Sequence, residues 1–203
     1  LARFTRDRLA NLKPERESQW LAGLVVDFRF MKSRRGEPIA LIQLDDRSAR
    51  FEVSLFGKEY EQHRELLVKN SILVFDCLVS IDDYNGTMRG RGREVMTLDQ
   101  ARARFARSLD LRLRHDALTP DFMHALERQL QAHRALPAVP CVAGDGGQRP
   151  APAGCLVRIF YERGDVRGTL VLGDQWRVIP SQPLLQALQE EFGRSAVALS
   201  YQS

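Results

Sequence analysis

Alternation of apolar and polar side chains dominates the first half of the chain. From Trp20 to Phe30, Ala22, Leu24, Val26, Phe28 and Phe30 fall on one side and Asp27 and Arg29 on the other, a period of two that predicts a half-buried strand. A basic, turn-rich stretch from Lys32 to Pro38 follows, and Ile39 to Leu44 resumes as a second strand. Asp45-Asp46-Arg47-Ser48 supplies side chains that favour a tight turn. A third strand then runs from Phe51 to Phe56, with Phe51, Val53 and Leu55 facing away from Glu52 and Ser54. The period changes next: Tyr60, Arg64 and Leu67, with Leu66 beside them, stand at helical spacing, so a short helix is predicted there. Ser71 to Ile81 and Thr87 to Met96 return to strands, joined by Asp82-Asp83-Tyr84-Asn85-Gly86, whose Asn-Gly pair signals a hairpin.

Five short strands with a helix between the third and fourth describe a five-stranded Greek-key barrel, the OB-fold. Such barrels bind oligonucleotides across strands 2 and 3 and the loops joining strands 1 to 2 and 4 to 5. Here the first of those loops carries Lys32, Arg34 and Arg35, and the second carries Tyr84. Strand 5 reads Arg89-Gly90-Arg91-Gly92-Arg93, so three cations project to one side and two glycines to the other. Like charges in a row repel, and phosphates lying along the row would relieve them. The alternative is an edge strand guarded by charge against aggregation, its glycines marking a bend. Tyr84, on a polar loop tip, is the best candidate for base stacking; Phe28, Phe30 and Phe51 are assigned to core, and Phe56 is a weaker stacking candidate.

The second half has a different texture. Asp99 to Arg107 predicts a basic helical connector with Asp99 as its cap. Leu109, Leu111 and Leu113 alternate with charged residues as a strand, and Thr119-Pro120 opens a helix striped by Phe122, Leu126 and Leu130. Residues 136–154 hold four Pro and four Gly and form a loop or linker. Three strands are predicted over Cys155–Glu162, Val166–Leu172 and Trp176–Ile179. A helix capped by Ser181 and ended by Gly193 follows, and Val197, Leu199 and Tyr201 form a closing strand. The predicted architecture is thus a β-barrel of residues 20–98 after a lead-in at 1–19, a helical connector at 99–108, and a small α+β domain at 109–203.

Charge sharpens this picture. Residues 1–108 carry 20 Lys+Arg against 16 Asp+Glu, and the remainder carry 10 of each, so only the first half is suited to a polyanion. The three cysteines have no close pairing that suggests a disulfide framework or a zinc site. No apolar run is long enough to span a membrane and no leader opens the chain, so a cytoplasmic protein is expected. The chain starts at Leu1 in a polar stretch and is expected to be part of something longer. Asp45-Asp46 and Asp82-Asp83 have the form of metal-binding carboxylate pairs, but each sits in a turn signature where Asp is expected anyway. His63, His115, His124 and His133 lack ligand spacing, and neither a nucleophile triad nor a phosphate loop is present. No catalytic residue, metal or cofactor is expected in this segment.

Leu21-Ala22-Gly23-Leu24-Val25-Val26, Met31-Lys32-Ser33-Arg34-Arg35-Gly36, Leu44-Asp45-Asp46-Arg47-Ser48, Phe51 to Phe56 and Arg93 to Met96 together resemble the C-terminal region of the alpha subunit of bacterial DNA polymerase III. Trp176-Arg177-Val178, Leu184-Leu185 and Glu191-Phe192-Gly193 resemble the tail of the same family. The resemblance implies an OB-fold that contacts single-stranded DNA template, followed by a domain that docks the tau subunit of the clamp loader. It places catalysis, a DNA-directed DNA polymerase activity, in segments upstream, and implies the other holoenzyme subunits as partners. The nucleic-acid candidates are Lys32, Arg34, Arg35, Phe56, Tyr84, Arg89, Arg91 and Arg93. Candidates for docking are Trp176, Phe192, Leu199 and Tyr201, for which a place in the domain core is an equally good account. A free-standing single-strand-binding OB protein with an accessory domain is the alternative.

Overall fold

The computed structural model describes residues 5–33, 35–82, 86–114, 119–135 and 154–201. Two compact units divide between Gln100 and Ala101. In the first, β1 (Gln19–Lys32), β2 (Pro38–Asp45), β3 (Arg50–Phe56), β4 (Ile72–Ile81) and β5 (Met88–Thr97) close a barrel in the order β1-β2-β3-β5-β4. Helix α1 (Gly57–His63) lies between β3 and β4, as the change of period requires. This is the OB-fold the strand order predicts.

Strand β1 departs from simple alternation. Leu21 and Val25, not Leu24 and Val26, enter the core, and a bulge between Val25 and Asp27 then exchanges the faces so that Phe28 packs against the core from the other parity. A 14-residue strand shared between β2 and β4 has to bend, and the extra residue supplies that bend. The other strands alternate as their sequences demand: Ile42 and Leu44 of β2, Phe51, Val53 and Leu55 of β3, and Leu73, Phe75, Cys77 and Val79 of β4 all point inward. Leu9 and Leu12, ahead of the first strand, are buried in the same core. They are held there by Asp46, whose Oδ2 accepts from the Leu9 amide at 3.0 Å.

Closure depends on β3 meeting β5, a parallel contact that pairs Val53 with Gly90 and Ser54 with Arg91. A Cβ on Gly90 would stand 2.8 Å from Phe51 Cε1, and one on Gly92 would stand 2.6 Å from Leu55 Cδ2. Only residues without side chains let the two backbones approach across a filled core.

The second unit is a four-stranded sheet in the order β8-β7-β6-β9, formed by β6 (Ala106–Arg114), β7 (Leu156–Arg163), β8 (Val166–Val171) and β9 (Val197–Tyr201). Leu109, Leu111, Val157, Ile159 and Val197 share one core with Phe122, Leu126 and Leu130 of α3 (Pro120–Ala132) and Leu184, Leu185 and Leu188 of α4 (Gln182–Phe192). Thr119 and Ser181 cap these helices by accepting from Phe122 N and Leu184 N, and Gly193 ends α4 at φ +89°.

Two expectations need correction. Trp176–Ile179 is not a strand: Asp174–Trp176 makes one 3-10 turn, closed by Trp176 N donating to Gly173 O, and only Val178 bridges to neighbours. With that turn on one side and Pro180 on the other, too few extended residues remain to build a ladder. The connecting helix α2 (Leu98–Phe105) is opened not by Asp99 but by Thr97 and Gln100, each side chain accepting from the other's amide. Strand β6 follows directly at Ala106. The 136–154 stretch lies outside the described residues except for Gly154, whose carbonyl accepts from Arg177.

Gly92→Ala is expected to destabilise the barrel by about 1–3 kcal/mol through overpacking against Leu55. Gly168→Ala, with nothing nearer than 3.9 Å to its new methyl, serves as the control. Urea unfolding followed by intrinsic fluorescence, with Trp20 in the unit of Gly92 and Trp176 in the unit of Gly168, measures both; a barrel midpoint unmoved by Gly92→Ala would contradict this account of closure.

Candidate nucleic-acid interface

Pairing of the strands assembles an outward face from residues far apart in sequence. Arg29, Leu41, Ser54 and Arg91 stand in one row across β1, β2, β3 and β5; Met31, Ile39 and Phe56 form the next, and Asp27, Gln43 and Glu52 the row on the other side. Their chain neighbours Phe28, Ala40, Ile42, Val53, Leu55 and Gly90 face inward, as alternation demands. Between the strands lies a groove of about 460 Å³, lined among others by Asp27, Arg29, Leu41, Gln43, Arg50 and Glu52.

Charges on this face are unequally engaged. Lys69 pairs with Asp27 at 3.4 Å and Arg50 with Asp45 at 3.2 Å. Arg89 is held twice, by Asp82 at 2.7 Å and by Glu52 at 3.6 Å. Among the described residues, Arg29, Arg91 and Arg93 form no ion pair. Arg91 instead lies over the Phe56 ring, 5.3 Å from its centroid, which keeps the guanidinium exposed and gives the half-buried ring a cationic neighbour.

The structure therefore corrects the picture of three unsatisfied arginines in one ridge. Arg89, Arg91 and Arg93 are all exposed and Gly90 and Gly92 are buried beneath them. Yet Arg89 is clamped by carboxylates that sequence spacing did not bring near it. Arg93 is the extra residue of a bulge, since Asp76 pairs with Glu94 and Cys77 with Gly92. Lys32, opposite Pro38 at the end of β1, and Arg35, in the following loop, are both exposed. That loop is built on Ser33, whose Oγ accepts from the Arg35 and Glu37 amides and whose backbone N–H donates to Glu37 O. Arg34 and Tyr84 lie outside the described residues.

Sequence reasoning missed Arg29, Met31, Ile39 and Leu41, whose only signal was their parity on strands 1 and 2. It also assigned Phe30 to core. Phe30 is 55% exposed, lying edge-on to Phe28 at 5.1 Å and to Tyr60 of α1 at 5.5 Å.

The Asp45-Asp46 pair behaves as turn chemistry. Asp46 Oδ1 accepts from the Ser48 amide and hydroxyl and from the Ala49 amide. Burial pushes the Asp46 carboxyl up, but these bonds and the one from Leu9 outweigh it and hold it below the usual value. The Arg47 amide first and the Arg50 side chain second lower Asp45 likewise. Asp82 is spent on Arg89, and Asp83 lies outside the described residues. Among the described residues no three His, Cys, Asp or Glu side chains gather as metal ligands, and no helix is long and apolar enough to cross a membrane.

In the second unit, the docking candidates all touch the core. Leu199 is buried within it, while Trp176, Phe192 and Tyr201 are half-buried against it, with Phe192 4.6 Å from Phe122 and Arg134 5.8 Å over Trp176. Apolar side chains exposed in this unit include Met123, Ile179 and, on β8, Val166 at 65%, Leu170 at 55% and Val171.

Comparison with known proteins adds sequence relatives to this geometry. Residues 19–112 match the family described as "OB-fold nucleic acid binding domain", and residues 150–193 match "DNA polymerase III subunit alpha, C-terminal domain". The chain is 36% identical over 199 residues to DNA polymerase III subunit alpha of Pseudomonas aeruginosa, covering 98% of this chain and 15% of that protein. Against the Vibrio cholerae protein of the same name it is 37% identical over 203 residues, covering 99% and 16%. It thus spans about one sixth of the length of these relatives. The second OB-fold domain of replication protein A from Methanococcus maripaludis aligns at a TM-score of 0.36 with 14% identity, over 45% of this chain and 93% of that one.

Proposed function

Since this chain belongs to the DNA polymerase III subunit alpha family over nearly its whole length and carries that family's C-terminal domain, we propose that its barrel binds single-stranded DNA template beside the polymerase. The second unit, on this proposal, docks the tau subunit of the clamp loader within the cytoplasmic replication holoenzyme. Nucleotidyl transfer by the whole subunit is assigned to the parts of its relatives that this chain does not span, and the segment itself works without metal or cofactor.

One observation carries the first assignment: the Arg91 guanidinium stacked on Phe56, in line with Leu41 and Arg29 across four strands. Phosphates passing over the barrel meet Arg29 and Arg91 at either margin, with Lys32 and Arg35 beyond. A base can lie on the neighbouring row of Met31, Ile39 and Phe56. Sparse aromatics make the binding tolerant of sequence and dependent on salt. Arg89, satisfied by Asp82 and Glu52, works differently: it fixes the base of the β4–β5 hairpin against β3 rather than gripping a phosphate.

For the second unit, the match at 150–193 and the exposed apolar side chains of β8 support docking there. Val166 and Leu170 share one parity on a strand that, among the described residues, pairs only with β7, a margin suited to a partner protein. Truncation of residues 196–203 would not map this contact, because it removes Val197 and Leu199 from the core.

In salt titrations of oligo(dT) affinity with the 203-residue chain, Arg91→Ala is expected to lower the log-log slope by about 0.7, the signature of one phosphate no longer neutralised. Phe56→Ala is expected to cost about 1–3 kcal/mol with little change of slope, and Arg89→Ala to change the slope less than Arg91→Ala. An unchanged slope for Arg91→Ala contradicts the assignment. For docking, Val166→Glu with Leu170→Glu in the whole alpha subunit is expected to abolish co-elution of tau and leave oligo(dT) affinity intact; full retention of tau would refute it.

A further inference from the structure

Among the described residues, α3 and α4 pack on one side of the second unit's sheet, through Leu109, Leu111, Val157 and Ile159. On the other side, register places Arg112 beside Phe160 and Phe160 beside Thr169, and a groove of about 450 Å³ runs along them. We propose that this open sheet face is a second binding site for single-stranded nucleic acid, with Phe160 as the base platform and Arg112 as the phosphate contact. It stands independently of the barrel's assignment and departs from the expectation, drawn from charge balance, that only the first half suits a polyanion: the surplus here is local, on a face formed by the half of the chain whose charges balance.

The argument rests on which charges are already satisfied. Asp110, beneath the face, is engaged by Arg158 through two bonds of 2.8 and 2.7 Å and also accepts from Ser108 and Ser200. Burial pushes the Asp110 carboxyl up, but these donors outweigh it and hold it ionised below the usual range. Glu162 is held by Arg167 at 2.8 Å. Both carboxylates of the face are thus neutralised in place. Arg112 is exposed and forms no ion pair among the described residues.

The aromatic is placed to use that surplus. Arg158 lies over the Phe160 ring at 5.3 Å, the same separation and pairing as Arg91 over Phe56 on the barrel. Because Asp110 fixes Arg158 from below, the stack is rigid before any ligand arrives, and a base can continue it with no loss of side-chain freedom. A partner of the opposite character, an acidic protein surface, would use Arg112 but leave the platform idle.

The test uses the whole chain with a fluorescent oligo(dT) carrying 5-iodo-deoxyuridine. Ultraviolet cross-links mapped by mass spectrometry are expected on residues 156–163 as well as on the barrel. In a Phe56→Ala, Arg91→Ala background, adding Arg112→Ala with Phe160→Leu is expected to weaken the remaining affinity roughly tenfold and remove the 156–163 cross-link, with the thermal midpoint unchanged. Cross-links confined to the barrel, together with no effect of Arg112→Ala and Phe160→Leu in either background, overturn this inference and leave the barrel's assignment standing. Cross-links on 156–163 in a chain indifferent to Phe56→Ala and Arg91→Ala support it and count against the barrel.

Discussion

The approach of β5 to β3 is the constraint from which the interface follows. Two strands distant in sequence must touch to close the barrel, and the inward positions of β5 at that contact have no room even for a methyl group. Glycine at 90 and 92 solves the inner problem and leaves the outer positions to arginine. Sterics on the inside therefore fix a cationic margin outside, beside Phe56 and Glu52. A bulkier β5 would hold the strand away and separate Arg91 from the ring it covers.

Electrostatics then divides the work among arginines that look alike in sequence. The clamp of Arg89 between Asp82 and Glu52 joins a hairpin base to a neighbouring strand, and an exposed pair of this kind contributes modestly to stability while restricting geometry. Arg91 has a ring instead of a carboxylate, so its charge remains available. The same division recurs in the second unit, where Arg158 is tied to Asp110 and Arg112 is not. Which arginine meets a phosphate depends on which carboxylate the fold brings alongside.

Much of the fold was legible because period-two patterns and turn signals are local. The order of strands, the helix after β3, and the caps at Thr119, Ser181 and Gly193 all follow from neighbours in the chain. The reversal of faces in β1 was not legible, because a bulge at Val25–Asp27 leaves hydrophobic residues at both parities and only pairing with β2 decides between them. Trp176–Ile179 looked extended by composition but is shaped by a turn and a proline. The interface was legible in part: the cationic row on strand 5 is in the sequence, whereas its partners Glu52, Phe56, Leu41 and Arg29 become neighbours only through register. Phe30 illustrates the limit from the other direction, an apolar residue whose strand runs past the edge of the core.

The central claim is that the outer face of β1, β2, β3 and β5 holds the strand. Side-chain and amide NMR of the 203-residue chain titrated with oligo(dT) tests it most directly. The account predicts the largest shifts at Arg29, Leu41, Ser54, Phe56 and Arg91, with the buried side of the barrel unmoved. Saturable binding that leaves those five unperturbed would contradict it.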